Sequence, residues 1–77
     1  MAKQQNRKKN PILMKFAKTV RTRRYELGLT QEELAEASDL HVNYIGGIER
    51  ATRNPSLLIL VKLSNALQVE LGSLLKE

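Results

Sequence analysis

Catalysis and metal binding need clusters of particular side chains, and the 77-residue chain has few of them. It holds one histidine, His41, and no cysteine. Zinc requires several nitrogen or sulfur ligands, so no metal site is expected. No nucleophile pairs with a base and no glycine loop could cradle a phosphate, so neither an enzyme nor a cofactor is expected. No small-molecule ligand is expected either. The side chains that could do chemistry are hydrogen-bonding and apolar groups in the run His41-Val42-Asn43-Tyr44. An asparagine amide can pair bidentately with N6 and N7 of adenine, and a valine can pack on a thymine methyl. Tyr44 could donate to a phosphate or stack on a sugar edge. For each of them the plain alternative is an ordinary exposed helix position.

Those residues need an element to carry them, and the spacing of apolar residues predicts helices throughout. Asn10-Pro11 reads as a helix start, with Asn as the N-cap and Pro in the first turn. Leu13, Phe16, Ala17, Val20, Arg24 and Leu27 follow at helical spacing, and Gly28 ends the helix. Thr30-Gln31-Glu32-Glu33 is a capping box opening a second helix over about 31–38, with Leu34, Ala35 and Ser38 inward. Ser38-Asp39-Leu40-His41 is a short turn, and a third helix covers about 42–50 with Ile45 and Ile48 inward. After the loop Arg53-Asn54-Pro55-Ser56, a fourth helix carries Leu57, Leu60, Val61, Leu63 and Leu67 as its stripe. A last short helix, about 70–76, buries Leu71 or Leu74. No strand-like alternation and no repeat occurs. The expected fold is all-α, with five short helices. Arg24 points inward on the first helix and Glu49 ends the inward face of the third, so a partly buried Arg24–Glu49 ion pair is expected.

The length allows one domain, burying about 60% of the surface of the unfolded chain. The longest apolar run, Leu57 to Val61, is far short of the ~20 residues a membrane span needs. No apolar segment follows the basic N-terminus, so a signal peptide is not expected. The lack of cysteine fits a reducing cytoplasm. Net charge is +5 and strongly polarised. Lys3, Arg7, Lys8 and Lys9 crowd the first ten residues, and Lys15, Lys18, Arg21, Arg23 and Arg24 follow. Glu32, Glu33, Glu36 and Asp39 gather within residues 30–40. A polarised basic molecule suits a polyanionic partner. Residues 1–10 read as a basic flexible arm and 11–77 as the folded domain; Arg7, Lys8 and Lys9 would reach along a DNA backbone or into a minor groove.

Two short helices joined by a three- or four-residue turn define a helix-turn-helix, whose second helix can enter a DNA major groove. The run Gly28-Leu29-Thr30-Gln31-Glu32-Glu33-Leu34-Ala35 closely resembles the Cro/repressor-like, Xre-type helix-turn-helix family. Tyr44-Ile45, Ile48-Glu49-Arg50 and Arg53-Asn54-Pro55-Ser56-Leu57 extend the likeness, as do Leu60, Lys62-Leu63, Ala66-Leu67 and Val69. It covers about residues 12–75. The segment Asn43-Tyr44-Ile45-Gly46-Gly47-Ile48-Glu49-Arg50 most resembles controller proteins of restriction–modification systems, and phage repressors and antitoxins share most of the pattern. The resemblance implies a transcriptional regulator that binds double-stranded DNA. An antitoxin-like or accessory protein that mainly binds a partner protein is the alternative.

The resemblance also implies roles. Gln31 at the start of the second helix would bond a phosphate, helped by the helix N-terminus. Arg50, Arg53 and Asn54 would meet phosphates or a narrow minor groove, and His41 would cap the helix or meet a phosphate. Asp39 and Ala51 stand where glycine is frequent. Gly46 and Gly47 lie inside the third helix, either for close approach to DNA or merely tolerated. One such domain reads only a few base pairs, so a homodimer on a two-fold site is expected. A single stripe cannot bury all of Leu57–Val61, so Leu58 or Ile59 should be exposed for that interface, extended by Leu71 or Leu75.

Overall fold

The computed structural model describes residues 9–76, in which every element is helical. The arm residues Arg7 and Lys8 lie outside the described residues. Helix α1 spans Pro11–Glu26, and its start follows from local chemistry. The Asn10 side chain accepts from the Ile12 amide at 2.8 Å, and Pro11 occupies a position whose missing N–H costs nothing. Gly28, at φ 70°, ends it: the chain turns back with Leu29 N–H on the Arg24 carbonyl. Helix α2, Gln31–Ser38, opens with the expected capping box. Thr30 Oγ1 accepts from Glu33 N–H at 3.0 Å, while Glu33 Oε1 accepts from Thr30 N–H at 2.8 Å.

The turn from α2 to helix α3, Val42–Glu49, needs one left-handed residue. Asp39 supplies it at φ 57°, and Leu40 N–H then bonds the Ala35 carbonyl at 2.9 Å. Asp tolerates that conformation better than most residues, which is why glycine is dispensable here. Helix α4 spans Leu57–Leu67 behind its Ser56 cap, and helix α5 is the single turn Leu71–Leu74.

The core lies where the helices meet. Phe16 and Val20 from α1, Leu34 and Ala35 from α2, Ile45 and Ile48 from α3, Leu63 and Leu67 from α4 and Leu74 from α5 bury together. Two expectations for α4 change, and the alternative left open for α5 is decided. Leu57, placed in the buried stripe of α4, is exposed, and so is Val61; the inward face runs through Leu63, Ser64 and Leu67, with Ile59 and Leu60 half-buried beside it. At about 100° per residue, Leu57 and Val61 lie on the side of the helix turned away from the fully buried Leu63. On α5 it is Leu74 rather than Leu71 that is fully buried. No described helix is long and apolar enough to cross a membrane.

Candidate nucleic-acid interface

Helix α3 is held from below by one buried ionic cluster. Arg24 Nε and Nη2 donate to the two Glu49 oxygens at 2.7 and 2.9 Å, a bidentate pair with side chains 8% and 3% exposed. Arg24 Nη1 donates to the Leu29 carbonyl at 2.9 Å. The hydrogen bond to Glu49 raises the Arg24 pKa above its ordinary value, against the opposing effect of burial. The expected pair therefore forms, and it is more thoroughly enclosed than the sequence suggested. It ties α1 to the end of α3.

Gln31 joins this cluster. Its Nε2 donates to Glu49 Oε1 at 3.0 Å, so the side chain named as a phosphate ligand is braced from within on a buried carboxylate. Two further cations close the C-terminal end of α3, whose last turn carries none of its own. Arg21 Nη1 donates to the Glu49 carbonyl at 2.6 Å, and Lys9 Nζ donates to the Arg50 carbonyl. They satisfy carbonyls that the helix leaves without partners and complement its dipole. Sequence reasoning missed Arg21, although it stands three residues before Arg24 on the same helix and therefore on nearly the same face. It placed Lys9 in the arm; the structure puts the Lys9 ammonium on the end of α3.

The other end of α3 is the open one. His41 caps it, its Nδ1 accepting from Asn43 N–H at 3.0 Å. Asn43 is exposed, whereas Val42 and Tyr44 are half-buried and pack partly on the core. Asn43, Gly46, Gly47 and Arg50 follow at i, i+3, i+4 and i+7, so they share one face of the helix. Both glycines on that face are nevertheless buried, Gly46 under the tip of Arg50 beside Gln31 and Gly47 under Arg53. A Cβ built on Gly46 would lie 2.9 Å from Arg50 Nη1 and 4.0 Å from Gln31 Oε1; one on Gly47 would lie 2.6 Å from Arg53 Cγ. The Arg53 guanidinium sits over the Tyr44 ring, 5.3 Å from its centroid. Gln31, Tyr44, Arg50 and Arg53 thus converge on one face of α3, and Asn43 stands at its exposed end. Asn54 is exposed in the loop that follows.

A short helix packed across a second one, with exposed amide and guanidinium groups on its outer face, defines a helix-turn-helix. The helix-turn-helix family model HTH_3 matches residues 20–74, and the chain belongs to this Xre-type family of DNA-binding transcriptional regulators. The family is one of regulators rather than of enzymes.

Within it, the chain is similar to restriction–modification controller proteins. It is 46% identical over 60 residues to control protein C.SmaI of Serratia marcescens, covering 78% of this chain and 71% of that protein. Against control protein C.BamHI of Bacillus amyloliquefaciens the identity is 45% over 67 residues, covering 86% and 83%. The crystal structure of controller protein C.AhdI from Aeromonas hydrophila superposes with a TM-score of 0.79 at 45% identity, covering 80% of this chain and 94% of that one.

Proposed function

We propose that this protein controls the genes of a restriction–modification system by binding a two-fold DNA site as a homodimer, with α3 of each subunit in the major groove. The observation that carries this is the convergence of Gln31, Tyr44, Arg50 and Arg53 around the outer face of α3, with exposed Asn43 at its N-terminal end. Such a face can set a base-reading end against base edges while cationic and amide groups at its margins hold phosphates. Val42, Asn43 and Tyr44 are the base-contacting residues, and Gln31, His41, Arg50, Arg53 and Asn54 the backbone-contacting ones. Lys9 adds charge at the end of α3, and the basic arm residues Arg7, Lys8 and Lys9 reach along the DNA backbone or into a minor groove. The similarity to C.SmaI, C.BamHI and C.AhdI supports the regulatory setting, and such a regulator works in the cytoplasm, where the DNA is.

Dimerisation is supported by the apolar surface of α4. Leu58 is 75% exposed and Leu57 66%, with Val61 also open. Ile59, half-buried against the core, contributes only its outer edge, and Leu71 and Leu75 of the final turn extend the interface. Selection of bound duplexes from a random pool, followed by sedimentation of the protein alone and on the selected duplex, tests the reading. The expected result is a palindromic site occupied by two chains; a single chain on an asymmetric site would refute the dimer.

A further inference from the structure

The glycine at position 47 stands in the interior of the helix that faces DNA, where it costs helix stability, and nothing in the DNA-binding reading requires it. Its surroundings explain it. After α3 the chain reverses in a tight turn, with Ala51 left-handed at φ 62°. Ala51 N–H bonds the Ile48 carbonyl at 3.0 Å, and Thr52 N–H bonds the Gly47 carbonyl at 2.9 Å. Thr52 Oγ1 donates to the same carbonyl at 3.0 Å. This double 6→1, 5→2 closure folds residue 53 back over the penultimate turn of its own helix. The Arg53 stem then lies on Gly47: a Cβ there would be 2.6 Å from Cγ and 3.2 Å from Nε. Cγ moves only when χ1 turns, so unlike a side-chain tip it cannot yield without re-aiming the whole arginine. At Gly46 the corresponding neighbour is the tip of Arg50, Nη1 at 2.9 Å, which has that freedom.

We propose that Gly47 is a positioning residue: it is the slot that lets Arg53 lie along α3 and stack on Tyr44, so that a guanidinium from the following loop is presented beside the groove-facing end of the helix. The inference rests on the reading of Arg53 as a DNA contact. Gly47 touches no DNA itself; it acts through Arg53. A methyl group at 47 fills the slot, and Arg53 must leave the ring of Tyr44.

The test is a double-mutant cycle of Gly47→Ala and Arg53→Ala in the full chain. Affinity is read by fluorescence anisotropy on a labelled duplex recovered by random-pool selection. Each single variant is expected to weaken binding about tenfold, the scale of one lost charged contact, and the double variant to bind no more weakly than Arg53→Ala alone. Because alanine favours helix over glycine, Gly47→Ala should melt at the wild-type temperature or above it. In the free protein the Arg53 side-chain protons should lose the upfield NMR shift imposed by the Tyr44 ring. Wild-type affinity in Gly47→Ala would overturn the proposal. So would a further tenfold loss on adding Gly47→Ala to Arg53→Ala, which would mean that the methyl meets DNA directly. If Arg53→Ala itself bound normally, the reading of Arg53 as a DNA contact would fall instead, and the ring-current shift would still report whether Gly47 houses the side chain.

Discussion

Replacing Glu49 by alanine removes the counter-charge of an arginine that stays where it is. Arg24 is then left 6% exposed, with only the Leu29 carbonyl as a strong acceptor, and Gln31 loses the oxygen that braces it. Exposed ion pairs are worth about 0–1 kcal/mol, whereas breaking a buried one costs ~3–5 kcal/mol because an unpaired charge remains inside. Chains of this size are stable by roughly 4–12 kcal/mol, so the loss is about a quarter of the total or more. At ~4 °C or more per kcal/mol, Tm should fall by at least ~12 °C. Thermal and urea unfolding followed by circular dichroism measure it. The double variant Arg24→Met, Glu49→Leu should recover much of the loss, since neither charge remains. Recovery should stop short of wild type because the Leu29 carbonyl and the Gln31 amide still lack their partners. The Arg24 pKa is raised above a value that is already very high. Its stabilisation is therefore fully present from neutral pH up to the ordinary arginine value and is lost only as pH rises through the still higher folded value. It contributes no slope from neutral to mildly alkaline pH. A Glu49→Ala protein that melted within the range expected of a surface pair would refute the reasoning, as would a double variant no more stable than Glu49→Ala.

Asn43→Ala should relax preference at one base position by about 1–3 kcal/mol while leaving binding to unrelated duplexes nearly intact; uniform loss across all sequences, read by parallel binding titrations, would make Asn43 a phosphate contact. Leu58→Asp should weaken self-association and site binding together while the isolated fold survives, because Leu58 lies outside the core. It is a cleaner probe than Ile59→Asp, which would also disturb packing, and sedimentation equilibrium decides it. Gln68 ends α4 at φ 59° and is exposed. Glycine avoids the ~1–2 kcal/mol left-handed penalty but adds about 0.5–1 kcal/mol of chain entropy, so Gln68→Gly should raise Tm by a few degrees; a lower Tm would mean that the glutamine side chain contributes more than its backbone strain costs.

Helix starts and stops were legible in the chain because caps act over three or four residues. Asn10-Pro11, the Thr30–Glu33 box and Gly28 each settle their own end with no help from elsewhere. The pairing of Arg24 with Glu49 was also legible, because both lie on inward faces whose period is local. The surface of α4 was less so. Five consecutive apolar residues do not say which face turns inward, and only the packing of α4 against α2 and α5 leaves Leu57 and Val61 outside. The least legible feature was the outer face of α3. Read as a helix alone, Asn43, Gly46, Gly47 and Arg50 form a stripe with two empty positions. The tip of Arg50 with Gln31 from another helix covers one, Arg53 from the reversed chain covers the other, and Arg21 and Lys9 close the end beneath. Periodicity reports only what one element contributes to its own surface. A face assembled from several segments exists once a left-handed turn at Ala51 and the crossing of α2 on α3 have brought those segments together.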